Sequence, residues 1–208
     1  TNSRADQPMV SQNGRFILVF NGEIYNFKEI RKNELNEFNF SDMLLMKQER
    51  LNELIHTPLT NRDLNKYGID DANIILYSEL DQIQDIGEFL PYDKAYKIIL
   101  IEYEKQTGHW VLIMRHNDTL EYFNSFGLKP SEKDFVNDDL LNQELNQEEL
   151  FLNDLFRKEL NEKDFKHLVY NKKAFQDDNS EVMTCGRHVV NRLRCMLDHN
   201  MKLEDYIS

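Results

Sequence analysis

Cys185, His109, Asn124 and Gln176 are the side chains of this 208-residue chain whose types and places suit them to do chemistry together. Cys185 lies in Met183-Thr184-Cys185-Gly186-Arg187, where a polar loop gives way to a segment of helical composition. At a helix N-terminus the dipole and the unsatisfied N–H groups favour a thiolate and lower its pKa. His109, in Gly108-His109-Trp110, opens a predicted strand, from which an imidazole can accept the thiol proton and form an ion pair. Asn124, in Phe123-Asn124-Ser125-Phe126-Gly127, ends the following strand, and an amide at that point fixes the imidazole tautomer through its other nitrogen. The spacing of fifteen between His109 and Asn124 matches a hairpin that sets them side by side. Gln176, nine residues before Cys185, carries an amide suited to joining a backbone N–H in binding an oxyanion.

The elements that must position these residues form an α+β order. Residues 15–33 read as strand, turn and helix around the tight-turn pair Asn21-Gly22. Residues 34–66 lean helical, with Leu44, Leu45, Leu51, Leu54 and Ile55 at helical spacing. Thr57-Pro58 ends that segment, and Thr60-Asn61-Arg62-Asp63-Leu64 begins a capped short helix that leads to Gly68. Ala72–Leu76 is β-like, and Leu80–Leu90 forms a short helix or loop closed by Pro91. Three strands follow, Tyr96–Tyr103, Trp110–Arg115 and Leu120–Asn124, joined by short polar turns into an antiparallel meander. Residues 133–166 are helical and strongly acidic, with Leu140, Leu141, Leu145, Leu150, Leu152, Leu155 and Phe156 on the buried side. A β-like Phe165–Tyr170, a polar loop and a helix from Gly186 to Leu197 complete the chain.

With those residues in place, the chain resembles the adenain and SUMO-protease-like cysteine peptidases. Gly-His-Trp, the Tyr-Phe-Asn-Ser-Phe-Gly turn, Gln and Thr-Cys-Gly-Arg-His carry the resemblance, which extends over about Ala72 to Asp198. In flavour the resemblance is to the maturation proteases of large DNA viruses, virophages and related mobile elements. The resemblance implies a central, mostly antiparallel sheet flanked by helices, with the nucleophile at a helix N-terminus. It implies Cys185 as nucleophile, His109 as general base, Asn124 as its orienter and Gln176 as oxyanion donor, with Trp110 packed beside the site against substrate. The substrate it implies is a protein or peptide cleaved at Gly-containing sites, in viral structural precursors or in a ubiquitin-like modifier, with no cofactor. Many members carry Asp where this chain has Asn124; an amide carbonyl still accepts from the imidazole but stabilises the imidazolium less. A catalytically weak peptide- or modifier-binding module that keeps the fold is the first alternative, and a glutamine amidotransferase fragment, resting on Asn21-Gly22, is the second.

Cys185, His188, Cys195 and His199 offer zinc-ligand types, but the ten residues from Cys185 to Cys195 span about 15 Å of helix, too far for one ion. No metal is expected, and His188, Cys195 and His199 read as one helical face against the core.

A second resemblance lies at the N-terminus. Gln7-Pro8-Met9, Gly14-Arg15-Phe16 and Phe20-Asn21-Gly22-Glu23-Ile24-Tyr25-Asn26 look like part of the class II glutamine amidotransferase domain of asparagine synthetases, over residues 4–33. That family uses an N-terminal cysteine, and no cysteine precedes Cys185 here; Thr1 has no supporting neighbours as a substitute. Residues 1–34 therefore read as an appended amidotransferase-like fragment without glutaminase activity, and 35–208 as the protease domain.

Composition sets the outer limits. With 37 acidic against 25 basic residues and a net charge of −12, the chain is no general nucleic-acid binder, which needs clustered Lys and Arg. No stretch reaches the roughly 18 apolar residues of a membrane span, and Thr1–Pro8, without an apolar core, does not read as a secretory signal. Two cysteines make no disulfide framework, so the expected setting is an intracellular reducing compartment, the cytoplasm or a viral factory or virion.

Overall fold

A computed structural model describes residues 9–10, 17–18, 40–132, 139–147, 150–162, 165–176 and 182–208. The chain divides into two compact units, Thr1–Glu49 and Arg50–Ser208. In the first, β1 (Met9–Val10) pairs antiparallel with β2 (Ile17–Leu18). The Asn21-Gly22 turn and the helix expected after it lie outside the described residues. Helix α1 (Phe40–His56) follows.

The second unit is built on five strands, β3 (Ile74–Leu76), β4 (Tyr96–Glu104), β5 (Thr107–His116), β6 (Thr119–Asn124) and β7 (His167–Tyr170), which form one sheet in that order. The β4–β5–β6 meander is antiparallel, as its alternating apolar runs and short turns require, and β3 and β7 flank it in parallel. The class is α+β, a five-stranded sheet flanked by helices. Its central strands are near-continuously buried, because both faces are covered. Ile99, Ile101, Val111, Ile113 and Tyr122 face one side, against Leu152, Leu155 and Phe156 of helix α5 (Phe151–Glu162). Ile98, Leu100, Trp110, Leu112 and Phe123 face the other, against Val189, Val190 and Leu193 of helix α6 (Cys185–His199).

Smaller elements match the composition locally. Helix α2 (Asn61–Lys66) starts on a capping box: Thr60 Oγ1 accepts from the Asp63 N–H at 3.3 Å, and Asp63 Oδ2 accepts from the Thr60 N–H at 3.0 Å. Residues 77–90 resolve into a 3₁₀ turn, Tyr77–Gln82, and α3 (Ile86–Phe89). The acidic stretch holds two helices, α4 (Asp139–Glu144) and α5. Between them Asn146 takes φ +53°, which no α-helix accommodates, and Gln147 turns inward to bond both the N–H and C=O of Glu102 on β4. Leu140, expected inside, is 74% exposed. The short α7 (Leu203–Ile207) closes the described chain.

One buried ion pair joins the two principal elements. Arg192 of α6 is fully buried and grips Glu121 of β6 through two 2.6 Å bonds, Nε to Oε1 and Nη2 to Oε2. Its third nitrogen, Nη1, donates to the Met201 carbonyl at 3.0 Å.

Candidate active site

His109 and Asn124 meet because β5 and β6 are hydrogen-bonded neighbours. The ladder between them ends at the Val111–Asn124 pair, so Asn124 sits diagonally across from His109. His109 Nε2 lies 2.9 Å from Asn124 Oδ1, both side chains buried. The hydrogen-bond network settles the atoms' roles. Asn124 Oδ1 also accepts the Phe126 N–H at 2.9 Å, and Nδ2 donates to the Tyr122 hydroxyl at 3.2 Å. Oδ1 is therefore the carbonyl oxygen, the imidazole donates from Nε2, and the ring's lone pair is on Nδ1. Phe126 stacks on the imidazole, with ring centres 4.4 Å apart and 19° between planes.

Cys185 begins α6, one residue earlier than the helix expected at Gly186, and is 6% exposed. Thr184 precedes it without a side-chain cap, which leaves the first N–H groups of the helix open to the Cys185 thiol. Gly186 packs closely beside the cysteine: a Cβ there would stand 3.0 Å from Leu59 Cβ and 3.1 Å from Trp110 Cδ1, so a larger residue needs both side chains to give way. Trp110 in turn donates its indole N–H to the Leu59 carbonyl at 2.9 Å. The Trp110 backbone N–H reaches the Cys185 thiol, which places the sulfur next to the strand position that follows His109.

The electrostatics differ from those expected of a bare helix N-terminus. Burial pushes the Cys185 thiol above its ordinary 9.0, and the N–H groups of Trp110, Gly186 and Cys185 itself only partly reverse this. Burial likewise pulls His109 down to about 4, against an upward contribution from Asn124. Desolvation of both groups outweighs the dipole and favours the neutral thiol–imidazole pair over the ion pair. Tyr103 of β4 shares this surrounding: burial raises its phenol, and Cys185, in its thiolate form, raises it further.

The depressed His109 pKa makes stability pH-dependent. Between pH 6.5 and about 4 the unfolded chain binds a proton that the folded chain refuses, so stability rises with pH across that window and is lost as pH falls. At 1.36 kcal/mol per unit the contribution is about 3 kcal/mol. Urea midpoints at pH 7 and pH 4.5 should fall less on acidification in His109→Gln than in the wild type; equal falls would count against a buried neutral imidazole.

Gln176, 8% exposed, is held next to the Asn124 turn. Its N–H and that of Phe175 donate to the Ser125 carbonyl at 3.1 and 2.7 Å. Its Nε2 donates to the Val182 carbonyl at 2.6 Å, three residues before Cys185. Asn171 reinforces the junction from β7: its Oδ1 accepts the Asn124 N–H at 2.9 Å and its Nδ2 donates to the Asn124 carbonyl at 2.6 Å. Asn171, Ser125, Tyr122, Phe126 and Tyr103 escaped the sequence reading. Tyr122, Ser125 and Phe126, which share the motif with Asn124, offered a local signal; Asn171 and Tyr103 offered none. His188 and Cys195 are half-buried along α6 and His199 is exposed, so the last does not face the core as expected. Among the described residues no three His, Cys, Asp or Glu side chains are gathered to hold a metal ion, and no helix is long and apolar enough to cross a membrane.

A groove of about 680 Å³ adjoins the site. Pro58–Arg62, β3, and the Gln106–Gly108 turn with Trp110 form its walls. Gly108 passes so close to β4 that a Cβ would overlap the Ile101 carbonyl oxygen.

The chain is 33% identical over 144 residues to uncharacterized protein V9 of Sputnik virophage, a match covering 68% of this chain and 77% of that protein. The chain belongs to the V9 family. The glutamine amidotransferase domain family matches residues 1–42, in line with the N-terminal resemblance. Two solved structures of the ASFV pS273R protease are also similar to this V9 relative. One has a TM-score of 0.45 at 14% identity, covering 88% of this chain and 81% of that one. The other, the selenomethionine form, has a TM-score of 0.41 at 16% identity, covering 74% and 62%.

Proposed function

We propose that this V9-family chain is a cysteine endopeptidase of the adenain and SUMO-protease type, with residues 35–208 as the protease and 1–34 as an appended segment. The buried His109–Asn124 pair, one strand position from the N–H that reaches Cys185, carries the reading. His109 Nδ1 takes the thiol proton as Cys185 sulfur attacks the substrate carbonyl carbon. The oxyanion is held by the Gln176 amide and the Cys185 backbone N–H at the uncapped helix start. The imidazolium then protonates the departing amine, leaving a thioester on Cys185. A water deprotonated by His109 hydrolyses that thioester and frees the acid product. No cofactor enters these steps. The groove beside Trp110 suits an extended peptide, and the substrates proposed are Gly-containing sites in viral structural precursors or a ubiquitin-like modifier.

A Gly-Gly peptide vinyl sulfone should label Cys185 at least about 100-fold faster than Cys195, since on this reading Cys185 alone has the oriented base and the substrate groove. Cys185→Ala should abolish cleavage of a Gly-Gly peptide. Equal labelling of the two thiols, or cleavage by Cys185→Ala, sinks the mechanism. The binding-module reading is favoured by one observation, the neutral pair beside an uncharged Asn124, and predicts slow labelling at both cysteines.

A further inference from the structure

Ser125 is fully buried between the residue proposed to orient the base and the segment that carries Gln176. Its carbonyl anchors the Gln176 main chain, and its hydroxyl donates to Gln176 Oε1 at 3.1 Å. A hydroxyl both donates and accepts, so the choice between the amide's oxygen and nitrogen is made by the Val182 carbonyl, which only accepts and so commits Nε2 to the approach to Cys185. Ser125 then donates to Oε1 from the opposite side, and the amide is held at both ends. Nε2 carries two hydrogens, and Val182 takes one of them.

We infer that Ser125, by holding Oε1 opposite the Val182 carbonyl, fixes the plane of the Gln176 amide and is thereby a positioning residue for the oxyanion site; the inference rests on the peptidase reading. Without the hydroxyl, Oε1 loses its buried donor and the amide, anchored at Val182 alone, swings its second N–H off the line to a developing oxyanion. A displaced donor holds that intermediate less well.

The test uses the full chain in a Cys195→Ala background and two small reagents aimed at Cys185. With p-nitrophenyl acetate the sulfur bonds to the acetyl carbon, a tetrahedral oxyanion forms, and p-nitrophenolate leaves. With 2,2′-dipyridyl disulfide the sulfur displaces a pyridine thiolate and no oxyanion forms. In Ser125→Ala, acylation should slow about 10-fold or more while disulfide exchange stays within about twofold, because only the first reaction uses the oxyanion site. Ser125→Thr, which keeps the hydroxyl, should recover acylation, and Ser125→Gly is the second deletion should the alanine variant not fold. Gln176→Glu keeps the acceptor for Ser125 but loses the donor; it should slow acylation at least as far, and adding Ser125→Ala to it should cost nothing more. Normal acylation in Ser125→Ala with loss in Gln176→Glu overturns the role of Ser125 and leaves the peptidase reading standing. Equal losses with both reagents also overturn it, as the mark of a general structural defect. Normal acylation in Gln176→Glu removes Gln176 as oxyanion donor, and the inference with it.

Discussion

Arg192→Ala should destabilise the protein by about 3–5 kcal/mol, a large share of the stability of a domain this size. The substitution strips Glu121 of both guanidinium bonds and leaves a carboxylate inside the sheet–helix interface. Burial already pushes the Glu121 carboxyl upward, and Arg192, with a smaller pull from His116, holds it against that pressure. The Met201 carbonyl loses its 3.0 Å donor at the same time. The double variant Glu121→Leu/Arg192→Met, which replaces the pair with apolar volume, should recover most of the loss, because the cost lies in the orphaned charge. Urea denaturation of both variants measures it, and a loss below about 1 kcal/mol in Arg192→Ala would show that the pair does not hold the interface. The pair also bears on the site. Arg192 lies two turns beyond Cys185 on α6, and Glu121 lies on β6 close before Asn124. It thus fixes the rotation of the cysteine-bearing helix against the strand that ends in Asn124.

His109→Ala should lower peptide hydrolysis by about 10⁴-fold or more, leaving what the oxyanion site and substrate binding supply alone. The loss should be this large because the Cys185 thiol is pushed up by burial and has little thiolate of its own near neutrality. Asn124→Asp should act in the opposite sense on charge. A carboxylate 2.9 Å from Nε2 favours the imidazolium, raises the His109 pKa from about 4 and draws the thiolate form of Cys185 to lower pH. The second oxygen of that carboxylate would face the Tyr122 hydroxyl, which is able to donate. Thiolate absorbance followed against pH reads both changes. Full hydrolysis by His109→Ala would remove the imidazole from the mechanism, and an unmoved thiolate curve in Asn124→Asp would remove Asn124 from its control.

The central hairpins were legible because their residues carry local signals. Ile98–Ile101 and Val111–Met114 are too apolar for an exposed strand, and the fifteen-residue spacing of His109 and Asn124 converts directly into cross-strand adjacency. The start of α6 was legible in Thr-Cys-Gly for a related reason, since Gly186 is the residue that fits against Trp110 and Leu59. What escaped is non-local. Glu121 reads in sequence as a solvent-facing position and Arg192 as helix surface; each is buried only because the other lies opposite it. Asn171 acts on the main chain of Asn124 across 47 residues, a role with no sequence signature. The pKa directions were missed because a helix N-terminus is visible in sequence while the depth of its burial is not. Leu140 fits the helical spacing, yet the chain breaks at Asn146 and leaves it outside.

The strand order has a consequence for the sequence of events in folding. His109 and Asn124 belong to one hairpin, whereas Cys185 arrives only after the chain has left β6, crossed to β7 in parallel and returned. The span from His109 to Cys185 is about five times that from His109 to Asn124, which adds about 1.4 kcal/mol of closure entropy before any contact repays it. His109 and Asn124 therefore come together by a local step, and Cys185 by the most remote one. On the peptidase reading proposed above, a chain still emerging in synthesis holds an assembled imidazole with nothing to deprotonate, and reactivity begins only when α6 has docked.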